Sequence, residues 1–279
     1  MPELIMTQFI RFLASTLLCL YILPIFSVAE VLIAPTRVVL EKGERTAELV
    51  IVNKGTEEAA YRISVENRRM LENGSMEVAE DTRDDELFAK DFVRFSPRRI
   101  MLQPGARQTI RVSANTASLQ AGEYRSHLRV MSAPTSAGRS LTSAAGPGGE
   151  DISIELIAIR SLTIPIIARV GDLDASVQLE SAEINPSDNE AESVLVARLN
   201  RVGTKSTFGD IQIFVEGQNE PVYFARGIAV YTPNTTRDVM LPLPDEVRAA
   251  LAGKPIRIAY VSSDPISSET YAELRTVLN

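Results

Sequence analysis

The chain reads as an all-β protein made of two sandwiches, and three observations predict this. From Val31 onward, short runs rich in Val, Ile, Tyr and Thr recur about every ten residues, separated by Gly, Pro, Asn and Asp turn signals. The stretch Asp151 to Arg169 (DISIELIAIRSLTIPIIAR) alternates, placing Ile152, Ile154, Leu156 and Ala158 on one face of an extended strand and Ser153, Glu155, Ile157 and Ile159 on the other. Before residue 150 no helix of any length is indicated.

The expected elements follow in order. Val31 to Leu40, Thr46 to Val52 and Tyr61 to Glu66 read as strands, with turns at Glu41-Lys42-Gly43 and Asn53-Lys54-Gly55. Arg68 to Lys90 is polar and acidic with Asn73-Gly74 in its midst, and reads as a hairpin or an exposed loop. Phe92 to Phe95, Gln108 to Val112 and Ser126 to Met131 return as strands, with a turn at Pro104-Gly105. Ser132 to Glu150, rich in Gly, Ser, Ala and Pro, reads as a mobile loop leading into the alternating strand. The second half offers strands at Ser176 to Ile184, Glu192 to Asn200, Ile211 to Glu216, Val222 to Tyr231, Arg237 to Leu241 and Ile256 to Ser262. One short helix falls at Pro244 to Leu251, closed by Gly253.

Composition narrows the function. A hydrophobic content of 45% and a net charge of −7 over 279 residues belong to an ordinary globular chain able to bury one large or two medium cores. Acidity is uneven: residues 30 to 165 carry 18 Lys and Arg against 19 Asp and Glu, and residues 166 to 279 carry 10 against 16. No basic run interleaved with aromatics points to nucleic acid. Residues 1–29 read as a signal peptide: Arg11 precedes the apolar run Phe12 to Phe26, and Ser27-Val28-Ala29 suits cleavage before Glu30. The alternative is a membrane anchor, against which stand the shortness of the run and Pro24. Export to the periplasm is therefore expected. The single cysteine, Cys19, lies in that segment, so the remaining chain forms no disulfide and depends on burial.

No catalytic template is found. There is no histidine cluster, no GxSxG, no phosphate-cradling glycine loop and no EF-hand loop, so neither an enzyme nor a cofactor or metal site is expected. His127, the one histidine, reads as a satisfied structural residue, and Asp81, Asp84, Asp85 and Glu86 as a solvated acidic run.

Seven fragments carry a resemblance: Ala34-Pro35-Thr36-Arg37, Asn53-Lys54-Gly55, Tyr61-Arg62, Phe92-Val93-Arg94-Phe95-Ser96-Pro97, Leu102-Gln103-Pro104-Gly105, Gln108-Thr109-Ile110-Arg111-Val112 and Gly122-Glu123-Tyr124-Arg125-Ser126-His127-Leu128. In order and spacing they are similar to the PapD-like periplasmic chaperones that assemble pili in the chaperone-usher pathway. Beyond residue 170 the resemblance rests on size, strand count and Gly253-Lys254-Pro255. It implies two immunoglobulin-like β-sandwich domains in a boomerang arrangement, an N-terminal one over 30–168 and a C-terminal one over 169–279. It also implies a chaperone that donates a β-strand to pilus or fimbrial subunits lacking their own last strand and delivers them to an outer-membrane usher.

The resemblance assigns roles to particular residues. Arg37 would anchor the subunit's terminal carboxylate, a planar guanidinium suiting a planar carboxylate. Ile152, Ile154, Leu156 and Ala158 would fill the subunit's groove, each Ile or Leu contributing roughly 1.5–3 kcal/mol when fully buried. The family's second anchor is a lysine four residues before an arginine. If that arginine is Arg169, the lysine position holds Pro165, and Arg160 is the candidate replacement. Glu123 and Arg169 would form an interdomain ion pair. Its third, acidic member maps near Ala250, with Asp245 and Glu246 the nearest substitutes. Ser96-Pro97 matches a position of a cis proline. The rival reading is a secreted adhesion or scaffold protein that uses the same two sandwiches for permanent contacts.

Overall fold

The computed structural model describes residues 31–133, 139–142, 153–156, 159–186, 193–264 and 269–278. The signal segment, Cys19, Ile152 and Ala158 lie outside them. In the first sandwich, strands β1 (Val31–Ala34), β3 (Thr46–Asn53), β9 (Arg107–Ala114) and β7 (Val93–Ser96) form one sheet in that order. It faces a sheet ordered β2 (Val38–Leu40), β13 (Ser161–Val170), β10 (Gly122–Ala133), β4 (Ala59–Glu66) and β8 (Arg99–Leu102). β2 runs parallel to β13 and the remaining pairs are antiparallel. This is the immunoglobulin order, ABED facing A′GFC with β8 added at the outer edge beside C.

Alternation builds the core. Leu49 and Ile51 of β3, Ile110 and Val112 of β9, Leu128 of β10 and Ile166 of β13 are all fully buried between the sheets. The sequence reads Val31 to Leu40 as one strand, but the chain changes sheets within it. Pro35, which has no amide to donate, follows β1, and the chain re-enters the opposite sheet as β2. The same switch separates β7 from β8, and both Ala34-Pro35 and Ser96-Pro97 are cis. Asn53 closes the β3–β4 turn. Fully buried, it donates to the Glu57 and Leu102 carbonyls at 2.7 and 2.9 Å and accepts from the Gly55 amide at 2.9 Å.

Two short two-stranded ribbons extend from this sandwich. β5 (Arg68–Met70) pairs with β6 (Met76–Val78) around Asn73-Gly74, where Gly74 takes a φ of 82° open to glycine. β11 (Arg139–Thr142) pairs with β12 (Ser153–Leu156), with Leu141 opposite Ile154.

The second sandwich sets β14 (Ala175–Pro186), β15 (Ser193–Gly203) and β18 (Thr236–Leu243) against β17 (Tyr223–Val230), β16 (Thr207–Val215), β19 (Pro255–Ser262) and β20 (Thr270–Val277). Leu195, Leu199, Ile211, Ile213 and Tyr260 fill its core, and the Tyr260 hydroxyl donates to the Ile228 carbonyl at 2.8 Å. Helix α1 (Asp245–Leu251) is the one helix among the described residues. β20 is absent from the sequence reading because it is a half-exposed edge strand whose apolar side chains are diluted by Glu273 and Arg275. β8 escaped for the same reason.

Leu128→Ala, which empties the centre of the first core, is expected to cost about 2–5 kcal/mol in urea denaturation. Met101→Ala on the outer face of β8, where the side chain is 66% exposed, is expected to stay within about 0.5 kcal/mol of the parent.

Candidate functional site: the cleft and the strand edge

The two sandwiches meet at a buried carboxylate. β10 begins with Gly122-Glu123 and β13 ends near Arg169, and the register sets Glu123 opposite Arg169. The Glu123 side chain is fully buried. It accepts from Arg169 Nε at 3.0 Å, from the Ser206 amide at 3.0 Å, from the Ser206 hydroxyl and from Thr232 Oγ1 at 3.3 Å. Arg169 belongs to the first sandwich, and Ser206 and Thr232 border strands of the second. One anion thus draws donors from both.

Neither Asp245 nor Glu246 completes this group. Asp245 pairs with Arg248 on α1, and the second carboxylate on Arg169 comes from Glu41, in the turn after β2, at 2.7 Å. Ser206 and Thr232 are held by Arg201, which is 2% exposed and donates to the carbonyls of Gly203, Lys205 and Asn234 at 2.7, 3.0 and 3.0 Å. No sequence signal marks a serine, a threonine and a turn-bracing arginine as one unit.

Beside this junction lies Arg37, in the bend between β1 and β2. Its guanidinium stacks on the Phe208 ring of β16, 3.4 Å from the centroid. It makes no ion pair with any described carboxylate. Burial holds its pKa below the ordinary arginine value, and nearby Arg169 acts in the same direction. A half-buried cation fixed on an aromatic face, with no hydrogen-bond acceptor among the described residues, has the donor geometry that suits a planar anion. Arg125 lies deeper, 4% exposed over the Tyr231 ring at 4.4 Å, and donates to the carbonyls of Arg68 and Thr232.

The position expected for a second cation holds Pro165, in register with His127. Arg160 does not stand in for it beside Arg37. It lies six residues before Ile166, the partner of Val38, or about 20 Å along the strand. Its backbone clips the hairpin instead, exchanging hydrogen bonds with Ser132.

His127 differs from the sequence reading. It is buried, but Nδ1 has no partner among the described residues. Burial, reinforced by Arg125 and Arg68, pushes its pKa down to about 3, so the ring is neutral. Of the acidic run, Asp81, Asp84 and Asp85 are exposed as read, and Glu86 alone departs from that reading. Glu86 is buried against Arg69, accepting from its NH2 group at 2.7 Å, and Asp81 joins at 3.2 Å; the Arg69 hydrogen bond holds both carboxylates below their usual range.

The strand edge completes the site. β13 pairs with β10 along its whole length, but β2 covers its other edge only at Ile166, Ile167 and Ala168. From Ser161 to Pro165 that edge has no partner among the described residues, and Leu162 stands 43% exposed on it. Among the described residues β12, which carries Ile154 and Leu156, pairs only with β11. The alternating stretch is therefore two strands, β12 and β13, rather than one.

No protein-family model matches the chain, and no curated protein matches it. Among solved structures it is similar to the chaperone–tip adhesion subunit complex CsuC–CsuE of Acinetobacter baumannii archaic Csu pili (15% identity, 90% of this chain and 100% of that one, TM-score 0.47). It is also similar to the Pseudomonas aeruginosa CupB2 chaperone (12% identity, 89% and 100%, TM-score 0.45). The Salmonella enterica SafA pilin complex with the SafB chaperone is another (12% identity, 90% and 97%, TM-score 0.43). Among the described residues no helix is long and apolar enough to cross a membrane, and no group of His, Cys, Asp and Glu is set to hold a metal ion.

The His127 environment gives a pH test. Unfolded, the imidazole binds a proton near 6.5; folded, only near 3. This contribution is complete above pH 6.5 and is lost as pH falls from 6.5 toward 3, at no more than about 1.4 kcal/mol per pH unit. The His127 ring resonances in NMR are expected not to titrate between pH 7 and 4.5.

Proposed function

We propose that the chain is a periplasmic chaperone that binds pilus or fimbrial subunits by lending them a β-strand and passes them to an outer-membrane usher. The observation that carries this reading is the pairing of Arg37, a cation without a carboxylate partner among the described residues, with a strand edge on the same sandwich that they leave incompletely paired. A subunit missing its last strand offers two matching features, an open groove and a chain-terminal carboxylate. The carboxylate seats on Arg37 and the groove takes the edge, through backbone hydrogen bonds and alternate side chains.

In this reading Ile154 and Leu156, with Ile152 and Ala158, are the inserted residues. Glu123, with Arg169 beside it on β13, holds the first sandwich against Ser206 and Thr232 of the second; the divide between the two domains then falls in 171–174, just past the expected 168/169, and residues 1–29 direct export. Arg37 acts without the lysine that the resemblance leads one to expect, so the stacked guanidinium carries more of the carboxylate recognition. The motifs from Ala34 to Leu128 support the assignment.

The test is native mass spectrometry of tagged chain purified from the periplasm of its own host. A one-to-one complex with a small β-rich subunit is expected, absent in Ile154→Asp and reduced at least tenfold in Arg37→Ala. A lone monomer, or a homopolymer indifferent to both substitutions, would contradict the proposal and favour the adhesion or scaffold reading.

A further inference from the structure

Between β4 and β7 the chain makes an excursion, within the segment that the sequence reads as a hairpin or an exposed loop. It leaves β4 at Asn67, forms the β5–β6 hairpin, and returns along Asp81 to Lys90. Its base is tied to β10 by the buried Ser126 hydroxyl, which donates to Asn67 Oδ1 at 2.8 Å and accepts from the Ala89 and Lys90 amides at 2.9 and 3.0 Å. Within the excursion, Arg69 ties the hairpin to the returning segment through Glu86, Asp81 and Glu77.

The tip does not stay with the first sandwich. Asn234 Nδ2 donates to the Met70 carbonyl at 3.0 Å, the Asp238 amide to the Glu72 carbonyl at 2.8 Å, and Thr236 Oγ1 to the Glu72 carboxylate at 2.6 Å. The Arg237 guanidinium lies against Gly74, where a Cβ would meet it at 2.5–2.8 Å. Beneath these bonds Met70, 5% exposed, packs with Ile167 of the first sandwich and Ala229 and Tyr231 of the second, flanked by Val39, Met76 and Phe208. This is a third core, shared by both sandwiches and roofed by the hairpin. It includes Phe208, the ring on which Arg37 stacks.

A two-stranded hairpin alone is marginal in water, and two sandwiches joined by the short stretch 171–174 would by default move against each other. We propose that the β5–β6 hairpin is an interdomain clasp: it crosses the junction, locks the angle between the sandwiches, and so preforms the cleft around Arg37 before any ligand arrives. The clasp is a property of the free chain and holds whether or not the ligand is a pilus subunit.

Electron–electron spin resonance distances between nitroxides at Lys54→Cys and Lys254→Cys, in a Cys19→Ser chain, test it. One narrow distribution is expected, broadening at least twofold in Met70→Asp while exchange of the Asp238 amide accelerates at least tenfold. Should Met70→Asp not fold, Asn234→Ala with Thr236→Val removes two tip bonds without entering either main core, and the same broadening is expected. A parent distribution already as broad as the variants', or an unchanged width in a variant whose Asp238 amide exchanges freely, would overturn the clasp.

Discussion

The architecture depends on one buried anion. Without Glu123, Arg169 would keep only the half-exposed Glu41 as a carboxylate partner, and the Ser206 and Thr232 donors at the edge of the second sandwich would face a cavity. Four donors in place of bulk water make burial of this charge tolerable, and removing the carboxylate strands them. The group therefore fixes position more than it adds stability. It holds β13 against the β15–β16 turn, so the bend that carries Arg37 comes to face Phe208.

Around this point the chemistry is asymmetric. Arg37, Arg125 and Arg237 all lie at the junction, and burial lowers the pKa of each; none has a carboxylate partner among the described residues. Arg125 is consumed by carbonyls and the Tyr231 face, and Arg237 donates to the Ala229 carbonyl and presses on the hairpin turn. Of these three, Arg37 is the one that stacks half-buried with its donors unspent among the described residues. In the proposed reading, a cleft arranged this way favours one anionic group at one place, and the neighbouring edge of β13 sets the direction from which a chain would arrive.

The sequence revealed those parts of the fold that depend on period and turn chemistry. Leu49, Ile51, Ile110 and Leu128 declare their strands by alternation, and Asn53-Lys54-Gly55 declares its turn because only that chemistry satisfies the buried Asn53. What remained hidden is whatever depends on where a strand changes partner. Nothing local in Val31 to Leu40 says that the segment divides between two sheets, and nothing in Asp151 to Arg169 says that β12 pairs with β11 while β13 pairs with β10. Glu123 and Arg169 were legible as a pair through family resemblance, whereas Ser206, Thr232 and Glu41 carry no pattern of their own. The polar composition of 68–90 concealed a docked hairpin, since its apolar contribution to the junction is concentrated in Met70 and Met76.

The most direct test of the strand-lending account is amide hydrogen exchange on the chain alone and on the chain purified with its bound partner. The account predicts slowed exchange at alternate amides of Ser153–Leu156 and Ser161–Ile164, with β2 and the core strands unchanged. Protection confined to other surfaces, with these two edges exchanging as fast as in the free chain, would contradict it.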